Sequence, residues 1–180
     1  MTAVRKPVQP ARWLPATTDA DVRAVIERAL ADVGLLETPP GSNRSGVIDG
    51  YLRAAGVPAS EIEAGRGYWC AAAAGAWWQW VGWPTPTGYA SCDNWLLWAT
   101  RTNRLKPRPI EGALVLYGVP TDAQHIGLVV RTAPLVLSVE GNVGLGGKVT
   151  NNGVACTLKP VDRSDILGYV WPPPALLRRV

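Results

Sequence analysis

"GYWCAAAAGAWW", residues 67–78, sets a cysteine ahead of four alanines and then two tryptophans. A helix over about 70–81, begun by Tyr68 or Trp69, places Cys70 in its first turn. The unpaired backbone N–H groups and the positive dipole end there stabilise a thiolate and can hold an oxyanion. Positions 73 and 74 share a helical face with position 70, and both are alanine. A sheet can therefore pack close to that face. The bulk of Trp77, Trp78 and Trp80 starts further along, where it no longer crowds the thiol. The same pattern also describes a small cysteine buried in an alanine-rich core helix, so the rest of the chain must decide.

Upstream the chain reads as helical. Thr18, with Asp21 three residues later, resembles a capping box. Val22, Val25, Ile26, Ala29, Leu30 and Val33 then recur at helical spacing up to Gly34. A turn-rich loop, "ETPPGSNRSG", precedes a second helix from about Val47 to Ala55, and residues 57–67 form a polar segment. Ser91 or Asp93 can cap a further helix through "NWLLWATRTN". Beyond Pro109 the character changes to short strands, "ALVLYG", "HIGLVVR", "LVLSVE", "VACTLK" and "LGYVW", with "GNVGLGGKVTNNG" as a glycine-rich connection. Helices followed by consecutive strands define an α+β fold with a mainly antiparallel sheet. Residues 1–16, rich in proline and basic side chains, read as an extended arm, and residues 17–180 as a single domain.

The 180 residues carry 47% hydrophobic and 18% charged side chains, 9 tryptophans and no phenylalanine. A net charge of +4 favours anionic partners without choosing among them. No apolar run follows Arg5 and Lys6, so no signal peptide is expected. The most apolar stretch, around 69–83, is too short for a membrane span of about 20 residues. The basic segment "RTNRLKPRP" is read as a solvated helix end, and no nucleic-acid motif accompanies it. Cys70, Cys92 and Cys156 are an odd number, so at least one is free in a monomer. They form no Cys-x-x-Cys pair, and neither a metal nor a cofactor is expected.

His125 is the only histidine and stands at the start of a strand. A cysteine hydrolase needs one base within reach of its thiol, and Gly127, two residues on, leaves room beside this one. In "SVEGN", Glu140 and Asn142 point to one face of an extended strand. Either can accept the imidazole Nδ1–H and favour the imidazolium, although Glu-Gly-Asn at a strand end is also ordinary turn chemistry. Cys92, in "ASCDN", is a rival nucleophile at a helix start, but Asp93 beside it opposes a thiolate by like charge. Cys156 alternates with Val154 and Leu158 and reads as a core position. A Cys92–Cys156 bridge would leave Cys70 free, and the sequence does not settle whether one forms.

Taken in order, "YWCAAAAGAW", "GALVLYG…QHIGLVV" and "LSVEGN" resemble the cysteine- and histidine-dependent amidohydrolase/peptidase (CHAP) domain of the papain-like cell-wall peptidases. The resemblance spans roughly residues 37–171 and includes "E…GSNRSGVIDGYLRAAG", which is similar to a lead-in helix of phage and bacterial members. It implies Cys70 as nucleophile, His125 as base, Glu140 as orienter and Asn142 as a fourth member, with cleavage of an amide bond in peptidoglycan. The backbone N–H of Cys70 is then one oxyanion donor, and Asn43 and Tyr68 are candidates for the second. Two loop positions depart from the common pattern: Glu111-Gly112-Ala113 stands where many members have Gly-Asp, and Gln124 where many have glycine before the histidine. The partner implied is bacterial peptidoglycan, reached through a phage particle or a secretion apparatus. Two other readings are a structural component of a phage tail that keeps the fold, and a transglutaminase- or deamidase-type toxin.

Overall fold

The computed structural model describes residues 17–144 and 152–174. The expected arm at 1–16 and the middle of the glycine-rich connection, 145–151, lie outside them. Five helices come first: α1 (Ala20–Ala31), α2 (Gly46–Ala54), α3 (Ala59–Glu63), α4 (Cys70–Trp80) and α5 (Cys92–Arg101). Six strands follow: β1 (Leu105–Lys106), β2 (Leu114–Val119), β3 (Asp122–Arg131), β4 (Val136–Gly144), β5 (Asn152–Lys159) and β6 (Ile166–Val170). They form one sheet in the order β1-β6-β2-β3-β4-β5, with every pairing antiparallel. The chain is therefore a mixed α+β fold with helices and strands segregated along the sequence.

Local chemistry explains most boundaries. Asp19, rather than Thr18, caps α1, its Oδ1 accepting from the Asp21 and Val22 N–H groups at 3.1 Å. Val22, Val25, Ile26, Ala29 and Leu30 are the face that α1 buries. Ser91 caps α5 by accepting from Asn94 N at 3.3 Å. Two elements depart from the sequence reading. Pro58 opens a short helix, α3, inside the segment read as polar. The basic stretch does not stay a helix end, because Asn103 turns left-handed (φ 54°) and Leu105–Lys106 pairs with β6 as an edge strand.

The helices cover one face of the sheet. Ala71, Ala72, Ala73 and Ala74 are fully buried, and α4 lies between α1 and α2 on one side and β3 and β4 on the other. A Cβ added at Gly141 of β4 would sit 3.2 Å from Ala73 Cβ and 2.7 Å from the Trp69 ring. Helix and sheet thus approach as closely as small side chains permit. Away from the alanines, tryptophans fill the volume. Trp78 meets Trp83 and Trp95 edge to face, with centroids 5.3 and 5.4 Å apart. Their indole N–H groups are satisfied by carbonyls, Trp78 by Gly112 at 3.1 Å and Trp95 by Tyr89 at 2.9 Å. The sheet's other face carries a smaller cluster around Val115, Tyr117, Val129 and Tyr169.

Gly75 of α4 faces the buried Tyr89 ring, whose Cε2 would lie 2.6 Å from an added Cβ. Gly75→Ala should therefore lower stability by roughly 1–3 kcal/mol through overpacking, despite the roughly 1 kcal/mol gain in helix propensity. Denaturant unfolding midpoints measure the difference.

Candidate active site

Cys70 is the first residue of α4, and its N-cap, Trp69, offers no side-chain acceptor. Helices α1, α2 and α5 are each capped by an aspartate or serine side chain. At α4 the first-turn N–H groups have no such cap, and the Ala71 N–H bonds the Cys70 sulfur. Cys70 is buried, with 5% of its surface exposed.

His125 lies opposite Tyr117 in the β2–β3 register, and the two rings stack at 5.9 Å with a 28° interplanar angle. Its Nε2 is 3.0 Å from Glu140 Oε2. The ring also hydrogen-bonds the Cys70 thiol, which leaves Nδ1 as the nitrogen for sulfur. The expected orientation, Nδ1 to the acid, is therefore reversed. The hydrogen bond from Cys92 is the largest influence lowering the Cys70 thiol. Together with His125 it outweighs burial and holds Cys70 well below its usual 9.0. Burial by itself would lower His125, but its bonds to Cys70 and Glu140 raise it to about 9. Both shifts act in the direction of a thiolate beside an imidazolium.

Glu140 is 1% exposed. Its Oε1 accepts from Tyr117 Oη at 3.0 Å, Ser138 Oγ at 2.6 Å, Thr157 Oγ1 at 2.6 Å and Lys159 Nζ at 2.8 Å. Lys159 also reaches Oε2 at 2.9 Å and lies 3.8 Å from the centre of the Tyr117 ring. Burial opposes the charge on this carboxylate, yet His125 and Lys159 keep it below the usual carboxylate range. Sequence reasoning missed these four partners. Their signal was present: Ser138 and Glu140 in β4, like Thr157 and Lys159 in β5, are polar at alternate positions of otherwise apolar strands.

The other candidates are placed differently. Asn142 sits within a break in the β4–β5 register, between Glu140 and Val143, with a left-handed backbone (φ 57°), so strand alternation fails there. Its Oδ1 is buried without a hydrogen-bond partner among the described residues. Asn43 Nδ2 donates to Gly65 O at 3.0 Å and clamps two loops. Tyr68 is 78% exposed. Cys92, the expected rival, is instead a neighbour: its Sγ is 3.8 Å from Cys70 Sγ. Its own thiol is pushed up by that bond and by burial, with Asp93 adding to the effect. The Asp93 carboxylate accepts from Ala123 N at 2.8 Å, tying the start of α5 to the strand that carries His125. Cys156 is half-buried in β5 and all three cysteines are free, so no Cys92–Cys156 bridge is formed. Among the described residues no cluster of three or more His, Cys, Asp and Glu could hold a metal ion, and no helix is long and apolar enough to cross a membrane. Comparison of the chain with protein-family models, curated proteins and solved structures gives no match.

Gly127 pairs directly with Glu140 in the β3–β4 register. A Cβ at position 127 would overlap Glu140 Cγ and lie 3.2 Å from Cδ. The carboxylate reaches His125 by crossing the space that this glycine leaves empty. Gly127→Ala should displace it and slow carboxymethylation of Cys70 by iodoacetate at neutral pH at least tenfold, since an ångström-scale misplacement can cost roughly 100-fold. Mass spectrometry of the labelled cysteine follows the rate.

Proposed function

We propose that the protein is a cysteine amidase or endopeptidase that cleaves an amide bond of bacterial cell-wall peptide, with a papain-like arrangement of helix and sheet. The observation that carries this reading is the relay from the Cys70 sulfur through the His125 ring to the buried Glu140 carboxylate, 3.0 Å from Nε2. Such a relay suits acyl transfer, in which a nucleophile, a base and an orienting group act as one unit. The wall as substrate rests on the order of motifs that resembles the CHAP domain, and the net charge of +4 suits an anionic polymer.

The Cys70 thiolate attacks the carbonyl carbon of the scissile amide. The backbone N–H of Cys70, free of any side-chain cap, donates to the developing oxyanion. One such donor is worth about 3–4 kcal/mol in hydrolases of this kind. The imidazolium then gives its proton to the leaving amine, and Cys70 holds the acyl group as a thioester. His125, now neutral, takes a proton from water, whose oxygen attacks the thioester and frees the thiol. Glu140 keeps the ring oriented throughout and Lys159 holds Glu140. A phage particle or a secretion apparatus would bring the enzyme to the wall.

Purified peptidoglycans of several chemotypes incubated with the protein should release soluble peptide-bearing fragments. Cys70→Ala and His125→Ala should each reduce release by at least a thousandfold, and mass spectrometry of the new termini identifies the bond. Activity should fall as pH rises through about 9, where His125 loses the proton it gives to the leaving group. Carboxymethylation of Cys70, which needs only the thiolate, should persist above that pH. Release of ammonia from protein glutamine without wall cleavage would replace this reading with a deamidase. A folded protein inert on every wall tested would leave a structural role.

A further inference from the structure

Two helices end on one pair of sulfurs. Cys70 is the first residue of α4 and Cys92 the first residue of α5, and their Sγ atoms lie 3.8 Å apart. A disulfide needs a sulfur separation near 2.05 Å, so closure requires an approach of about 1.8 Å. Each side chain stands in the opening turn of its helix, with no preceding helical turn to restrain it. Cys92 supports the Cys70 thiolate by its hydrogen bond but is not itself placed to take up or give a proton in the relay. Cys92 takes no part in the proton path from Cys70 through His125 to Glu140.

We propose that Cys70 and Cys92 form a dithiol modification site for small hydroperoxides, in which Cys70 is oxidised first and Cys92 resolves it to a disulfide. The Cys70 thiolate attacks one peroxide oxygen. The S–O bond forms as the O–O bond breaks, and the departing hydroxide takes a proton to become water. Cys92 sulfur then attacks Cys70 sulfur. The S–S bond forms, the S–O bond breaks, and the hydroxyl leaves with the Cys92 proton as a second water. Two thiols and one hydrogen peroxide thus give one disulfide and two waters, with both sulfurs oxidised and both peroxide oxygens reduced.

The geometry favours this pair over the alternatives. Cys70 is the thiol next to His125, and a thiolate is the form that reacts with peroxide. Both residues are nearly buried, at 5% and 7% exposure, so the oxidant that reaches the pair is a small one. Cys156 belongs to β5, opposite Val139 of β4, and burial raises its thiol to about 11. It is therefore the internal control. With the nucleophile held in a disulfide, the hydrolase proposed above is switched off until a reductant opens it.

The test treats the folded protein with hydrogen peroxide, blocks remaining thiols with iodoacetamide under denaturing conditions and maps the peptides by mass spectrometry. Alkylatable thiols should fall from three to one, with Cys70 and Cys92 in one linked peptide and Cys156 still alkylated. Dithiothreitol should restore all three. In Cys92→Ser, a near-isosteric change, prolonged exposure should carry Cys70 on to sulfinic acid, and dithiothreitol should no longer recover the thiol. Cys70 sulfinic acid beside an unmodified Cys92 in the wild type would overturn the inference. So would a Cys70–Cys156 link. The readout is thiol chemistry alone, so it succeeds or fails separately from wall cleavage.

Discussion

A carboxylate buried at 1% exposure is the constraint on which the site depends. An unpaired charge in that position costs several kcal/mol, and removing one partner of a buried pair costs roughly 3–5 kcal/mol. Glu140 therefore needs donors on every side, and four strands supply them: Tyr117 from β2, His125 from β3, Ser138 from its own strand, and Thr157 and Lys159 from β5. The register fixes which residues these are. Glu140 faces Gly127, Ser138 faces Thr157 and Tyr117 faces His125. A shift of one residue in any of these pairings would turn the donors to the other face of the sheet. Sheet register and the ionisation of one side chain are thus the same requirement seen at two scales.

The charges around the site alternate. The Cys70 thiolate meets the His125 imidazolium, which meets the Glu140 carboxylate, which meets the Lys159 ammonium. Each charge lies beside its opposite, so the set as a whole is neutral. Lys159 matters here because it keeps Glu140 ionised whichever protonation state His125 holds. If His125 were its only cationic partner, the carboxylate would lose its compensation each time the ring gave up a proton. The Lys159 contact with the Tyr117 face and the Tyr117–His125 stack hold the same four groups in a single packed unit.

Much of this was legible in the sequence, for identifiable reasons. The alanine run following Cys70 admits close approach, and at Gly141 of β4 an added Cβ would crowd Trp69 and Ala73. Helix periodicity and turn residues located α1, α2, α4 and α5 to within a residue or two. The failures are equally physical. Asn142 was placed beside Glu140 by strict alternation, but a register break and a left-handed backbone end that alternation two residues beyond Glu140. The imidazole nitrogen facing the acid cannot be read from residue types, because it depends on the side from which the ring enters. Lys159 and Thr157 lie far along the chain from His125, and only the β3–β4–β5 ladder brings them to it. The proximity of Cys70 and Cys92 depends on how α4 and α5 converge, which no local pattern encodes.

The ion pair also determines how folding responds to pH. In the unfolded chain Cys70 holds its proton up to its ordinary value of 9.0 and His125 loses its own near 6.5. In the folded chain the thiol is depressed and the imidazole raised to about 9. Between about 6.5 and 9 the raised imidazole makes stability fall with pH while the depressed thiol makes it rise, so the two slopes oppose each other. Below 6.5 the imidazole is protonated in both states and its slope vanishes, which leaves the depressed thiol, for which the unfolded chain binds more protons. Stability from the pair falls with further acidification, and the depressed Glu140 adds to that loss in the carboxylate range. Above 9 the raised imidazole gives up its proton, so the contribution of His125 disappears. The same two shifts that favour thiolate and imidazolium in the folded site therefore act in opposite directions on the pH dependence of stability.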